Sequence, residues 1–134
     1  MITFPNCKIN LGLWVTQRRT DGYHNIQTVM FPVPWCDILE IVPARGSETT
    51  LEVTGAKVDS ALETNLCYRA WRLMAHKYSI PAVAIHLHKV IPSGAGLGGG
   101  SSDASFTLKM LNSMFGLSLE NDVLRSLAVE LGMD

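Results

Sequence analysis

Residues 92–103 read Pro-Ser-Gly-Ala-Gly-Leu-Gly-Gly-Gly-Ser-Ser-Asp, with five glycines in the seven positions from Gly94 to Gly100. A glycine inside a helix or strand costs roughly 0.5–1 kcal/mol relative to alanine. A packed core gains nothing from such a run. It suits a backbone that must take positive φ, or one that another group must approach closely. Upstream, Ala82 to Val90 reads as a strand; downstream, Ser101 to Phe115 reads as a helix. A strand, a glycine loop and a helix N-terminus together present free backbone N–H groups and the positive end of a helix dipole. That combination is an anion site, and phosphate is the usual anion.

Two familiar phosphate motifs do not fit. Gly94 to Gly99 satisfies G-x-G-x-x-G, but a dinucleotide fold needs an acidic residue about 20 positions on, ending a second strand. The region around Glu120 and Asp122 reads as helix instead. A P-loop would need Gly-Lys-Ser/Thr after the glycines, and none follows. A flexible linker is the bland alternative, yet linkers seldom separate a strand from a well-patterned helix. Ser101, Ser102 and Asp103 are all predicted helix caps, and the two hydroxyls could also touch phosphate or a metal-bound water.

The remaining pattern indicates a mixed α+β domain of about five strands and three helices. Ile9, Leu11, Leu13 and Val15 alternate with Lys8, Asn10, Gly12 and Trp14, which predicts a strand with one buried face. Lys8 and Asn10 would then point away from the core. Thr16 to Gly22 reads as a polar turn, and Asn25 to Pro34 as extended, with Pro32 and Pro34 making it irregular or an edge strand. Asp37 to Val42 and Thr49 to Thr54 are predicted strands of one hairpin. Thr64 to Lys77 is a predicted helix with Thr64 or Asn65 at its cap. A third helix carries Leu119, Val123, Leu124, Leu127 and Leu131, with Ser118 as N-cap and Gly132 closing it. His86 and His88 share a strand face, but no third metal ligand lies near them in sequence.

With 134 residues the chain is long enough for one domain with a real core. Its net charge of −1 argues against a broad nucleic-acid or membrane surface, so phosphate must be handled locally. The three cysteines, Cys7, Cys36 and Cys67, are scattered and odd in number, the pattern of reduced thiols in a cytoplasmic protein. No signal peptide is visible, and no apolar run approaches the ~20 residues that span a bilayer. The chain stops at Asp134, two residues after a helix-ending glycine, which predicts a fragment of a longer protein.

Four segments occur in a telling order: Pro5 to Leu11, Asp21 to Thr28, Pro92 to Ala104, and Leu131 to Asp134. Together they make the whole chain resemble the GHMP small-molecule kinases. The Pro-x-Gly-x-Gly-Leu-Gly-Gly-Gly-Ser-Ser loop carries the superfamily likeness. Asp21-Gly22-Tyr23-His24 resembles one branch, whose members phosphorylate the 2-hydroxyl of 4-diphosphocytidyl-2-C-methyl-D-erythritol (CDP-methylerythritol) in non-mevalonate isoprenoid biosynthesis.

The resemblance implies a ribosomal-protein-S5-domain-2-like fold and a nucleotide site for ATP with Mg²⁺. Its glycine loop would be Pro92, Ser93, Gly94, Ala95, Gly96, Leu97, Gly98, Gly99, Gly100, Ser101 and Ser102, wrapped around the phosphates. Lys89 and Asn65 match positions near the nucleotide. Lys8 matches the family's catalytic lysine and Asp134 its catalytic aspartate. Tyr23 and His24 would hold a cytosine ring, and Asn10 would contact the substrate near its reacting hydroxyl. No residue is implied as a protein metal ligand. Residues 1–134 would then be the N-terminal, ATP-binding domain without its C-terminal partner. Such a chain is expected to be inactive alone and prone to homo-oligomerise through the face left bare. Two other readings stand beside this one: a GHMP kinase for homoserine, mevalonate or a sugar, and a non-enzymatic S5-like binding domain.

Overall fold

The computed structural model describes residues 1–56 and 61–132, so Asp134 lies outside the described residues. The chain runs β1 (Ile2–Thr3), β2 (Asn6–Arg18), β3 (His24–Cys36), β4 (Ile38–Pro43) and β5 (Thr50–Gly55). A short 3₁₀ turn (Leu62–Thr64) follows, then α1 (Leu66–Tyr78), β6 (Val83–Lys89), α2 (Gly99–Met114) and α3 (Asn121–Glu130).

Four strands form a sheet in the order β1-β4-β6-β5, with β6 antiparallel to β4 and parallel to β5. Strand β6 alternates strictly. Val83, Ile85 and Leu87 are buried, while His86 and His88 face solvent. Leu39 and Ile41 of β4 join the buried face. The helices cover that face with residues three or four apart: Cys67, Ala70 and Met74 from α1, Ala104, Leu108 and Leu111 from α2, and Leu124 and Leu127 from α3. One core thus lies between a mixed sheet and a helical layer, the expected α+β arrangement.

Strands β2 and β3 stand apart as a two-stranded antiparallel ribbon, 13 residues a side. The turn Arg19–Tyr23 closes it, with Arg19 N–H donating to the Tyr23 carbonyl at 2.7 Å. Strand β2 therefore extends three residues into the predicted turn, and the prolines do not interrupt β3.

Several local expectations are corrected. Strands β4 and β5 do not form a hairpin, because β6 is inserted between them. The apolar parity of β2 does not face a core: Leu11, Leu13 and Val15 are 51%, 56% and 63% exposed. Its polar parity, Lys8 and Asn10, is the half-buried one. Helix α2 begins two residues early. Its N-cap is Gly98 at φ +71°, and Ser101, Ser102 and Asp103 lie inside the helix rather than capping it. Helix α3 starts at Asn121 with Glu120 at the cap position, while Ser118 has a positive φ in the preceding turn. Asn112 pins that turn, accepting from Leu119 N–H at 2.9 Å and donating back to the Leu119 carbonyl at 3.2 Å.

Candidate active site

Strand β6 ends at Lys89 and α2 begins at Gly99, and the loop between them turns at Gly94, Gly96 and Gly98, all with φ between +71° and +73°. An L-residue pays roughly 1–2 kcal/mol for that region, which is why glycine recurs at alternate positions. Gly98 has a second reason. A Cβ there would sit 3.2 Å from Cε of Lys8. The first N–H groups of α2 receive no side-chain cap, and no acidic side chain occupies its first turn. Helix α1 differs, for Asn65 caps it through a 2.9 Å bond from Cys67 N–H. The 16-residue α2 thus offers uncapped donors and the positive end of its dipole beside the glycines.

Strand β2 brings the cation. Lys8 N–H donates to the Leu97 carbonyl at 3.0 Å, which ties the ribbon to the loop. Lys8 Nζ donates to the Gly96 carbonyl at 2.8 Å and to Asn10 Oδ1 at 2.7 Å. Asn10 Nδ2 donates to Thr28 Oγ1 at 3.0 Å, and the Thr28 hydroxyl donates to the Gly12 carbonyl at 2.6 Å. Lys8 is therefore aimed by a chain of bonds across β2 and β3. Two of its three ammonium donors have partners among the described residues, which leaves the third for a ligand oxygen. Lys8, Asn10, Gly96 and Gly98 line an open cavity of about 600 Å³ together with Cys7, Met30, Ser101 and Ser102.

The other expected site residues lie elsewhere. Asn65 and Lys89 line a second, smaller cavity of about 160 Å³ with Ser93, Gly100 and Asp103. Tyr23 and His24 sit at the exposed tip of the ribbon. His24 pairs with Arg18, eight residues along β2 from Asn10, or roughly 25 Å at ~3.3 Å per residue. The described residues thus place them apart from the Lys8 cavity. His86 is engaged by Glu40 at 2.7 Å and His88 by Thr54 at 2.9 Å. Among the described residues no three of His, Cys, Asp and Glu converge on a metal position.

Sequence reading missed a buried cluster at the root of the loop. Lys89, 4% exposed, donates from Nζ to Asp37 Oδ2 and to Asp103 Oδ2, the latter at 2.8 Å. Asp37 Oδ1 also accepts from Val90 N–H at 2.6 Å and Ile91 N–H at 2.8 Å. Burial works against the Asp37 charge, but Lys89 and these two N–H groups outweigh it and hold the carboxyl below the usual range. Burial pushes Asp103 up to about 7 even though Lys89 pulls it down. Burial also opposes the Lys89 charge, and its two carboxylate partners more than offset that, raising it above the ordinary value. Asp37 precedes β4 by one residue, and its bond to Lys89 spans 52 positions, so nothing local announces it.

Residues 65–134 match the family model for the GHMP kinases N terminal domain. The 4-diphosphocytidyl-2-C-methyl-D-erythritol kinase of Cytophaga hutchinsonii is 50% identical over 134 residues, covering all of this chain and 49% of that protein. The crystal structure of a 4-(cytidine 5'-diphospho)-2C-methyl-D-erythritol kinase superposes with a TM-score of 0.78 at 37% identity, over 98% of this chain and 46% of that one. The homoserine kinase of Cytophaga hutchinsonii gives a TM-score of 0.69 at 18% identity over 97% of this chain and 39% of that one, a likeness of fold alone. The chain spans about half the length of the curated relatives it matches.

Proposed function

This chain belongs to the GHMP kinases, and from that premise we propose that the full-length protein transfers the γ-phosphoryl group of ATP to the 2-hydroxyl of CDP-methylerythritol. The observation that carries the reading is the Lys8 ammonium held against a glycine loop that leads into an uncapped helix N-terminus. The substrate rests on the likeness to CDP-methylerythritol kinases along the whole chain.

In this reading the N–H groups at the start of α2 and the loop Pro92–Ser102 receive the nucleotide phosphates. Lys8 offsets the charge that develops on the transferred phosphoryl group. Asn10 fixes the Lys8 ammonium and stands beside the acceptor hydroxyl. Asp134 accepts the hydroxyl proton, a role worth typically 10²–10⁴-fold. A divalent ion such as Mg²⁺ would travel with the phosphates and find the hydroxyls of Ser101 and Ser102 at the cavity wall. It would neutralise phosphate charge there. Tyr23 and His24 would take the cytosine at the outer end of the ribbon and Asn65 the nucleotide at the smaller cavity, where Lys89, its ammonium held by Asp37 and Asp103, would act through the loop and not by direct contact. The rest of the protein would complete the pocket, in a cytoplasmic enzyme.

A substrate panel tests the reading. The full-length protein with ATP is expected to phosphorylate CDP-methylerythritol at least 10²-fold better, by kcat/KM, than homoserine or mevalonate. Preference for either of the others would keep the kinase and overturn the substrate.

A further inference from the structure

The glycine loop is anchored at both stems by the same buried cluster. At its first stem, the N–H groups of Val90 and Ile91 both donate to Asp37 Oδ1. At its second stem, Asp103 sits in the second turn of α2, five residues after the Gly98 cap. Lys89 Nζ bridges the two, donating to Asp37 Oδ2 and Asp103 Oδ2 at once. All three side chains are at most 3% exposed. We propose that Asp37, Lys89 and Asp103 form a strap that sets the spacing and angle between the two stems, and that Asp103 is a positioning residue for the loop.

Three observations favour positioning over a purely structural role. A buried ion pair is poor evidence for stability, because desolvation consumes most of the Coulomb gain. Here the cluster holds two carboxylates for one ammonium, so the second is a liability on energetic grounds. Asp103 Oδ1 has no hydrogen-bond partner among the described residues, a further cost that a stabilising pair would not carry. Lastly, Asp103 is the only member on α2, the element whose N–H groups face the larger cavity. What Asp103 alone adds is the bond from the far stem to the near one. A loop with glycine at three of its nine positions, Gly94, Gly96 and Gly98, has little stiffness of its own, so its shape must be imposed from its ends.

The test uses Asp103→Ala and Asp103→Asn in the full-length protein. In the alanine variant Lys89 remains paired one-to-one with Asp37, so the fold keeps a neutral buried pair. Amide hydrogen exchange at Val90, Ile91 and Ser102, the hydrogen-bonded amides of the two stems, is expected to quicken at least tenfold, while amides of α1 and β6 keep their protection. The asparagine variant keeps an acceptor for Lys89 and is expected to stay within threefold of the unmodified loop. Should the alanine variant not fold, Asp103→Leu, close in volume and without an acceptor, takes its place. Stem exchange within twofold of the parent in the acceptor-less variant would overturn the strap, as would asparagine exchanging as fast as alanine. A second arm rests on the proposed kinase function: KM for ATP rises at least tenfold in the alanine variant, kcat changes less, and asparagine restores KM. If the parent protein turns over no ATP, the kinase reading fails while the exchange arm still decides the strap.

Discussion

At the residue scale, Lys8 and Asp103 are charged groups with opposite assignments. Lys8 is held in the open, fastened to a carbonyl of the glycine loop and to Asn10. Thr28 is the hidden partner in that arrangement. Thr28→Val removes the hydroxyl that links Asn10 to Gly12 while keeping the shape. It is expected to lower kcat several-fold and to move KM for ATP little, as steady-state kinetics of the full-length protein can check. Asp103 makes a different prediction. Its carboxyl is pushed up to about 7, from an ordinary 3.8, among Lys89, Asp37 and the Cys67 thiol, which burial in turn pushes up to about 12. The folded state therefore keeps a proton that the unfolded chain has released. Stability falls as pH rises from about 4 to about 7, then levels off. The span is on the order of a few kcal/mol. Urea denaturation across that range should show the slope, and Asp103→Asn should flatten it. An equal slope in both proteins would remove Asp103 as the cause.

The element scale shows what the sequence makes legible and why the rest is not. The loop from β6 to α2 is visible at once, because so dense a run of glycines suits no strand or helix interior, although Gly99 and Gly100 open α2. Helix faces are equally plain in the α3 stripe, of which Leu124, Leu127 and Leu131 are buried. The start of α2 is less so, since glycines in a first helical turn look like loop until the φ of Gly98 is known. Alternation in β2 reveals a strand but not which face is turned inward. There Lys8 and Asn10 are half-buried against a site, and a register shift at Gly12 turns Leu13 onto the same cavity, so one parity in sequence does not stay on one face. Strand partners are the most hidden of all. Strands β4 and β5 are neighbours in sequence, yet β6, arriving some thirty residues later, separates them. The Asp37 strap fails to show for the same reason, being a contact between remote segments. The loop's geometry carries its own prediction. Gly98→Ala puts an L-residue at φ +71° and a methyl against Lys8. It should cost at least about 1 kcal/mol in chemical denaturation and lower kcat at least tenfold. A neutral outcome in both would contradict the close fit of Lys8 to the loop.

At the scale of the whole molecule, the β2–β3 ribbon is the conspicuous surface. Leu11, Val29 and Phe31 are each more than half exposed and share one face, where Leu11 pairs with Val29 and Ile9 with Phe31. Contiguous bare apolar area of this kind marks a surface that binds something or self-associates. The 134-residue chain by itself is expected to sediment as more than a monomer at about 50 µM, and Leu11→Lys with Phe31→Lys, two changes on that one face, should return it to monomer. Monomer at that concentration would mean the ribbon is protected in another way. The same ribbon carries Lys8 at its root and Tyr23 and His24 at its tip, so under the proposed function one element would serve both the reacting end and the cytosine end of the substrate. The central claim is that Lys8 at the glycine loop does chemistry on that substrate. Its most direct measurement is single-turnover phosphorylation of CDP-methylerythritol by the full-length protein and its Lys8→Ala variant, each shown to be folded. The predicted result is at least a 10²-fold slower phosphoryl transfer in the variant, with CDP-methylerythritol affinity changed less than tenfold. Transfer at near the parent rate would contradict it.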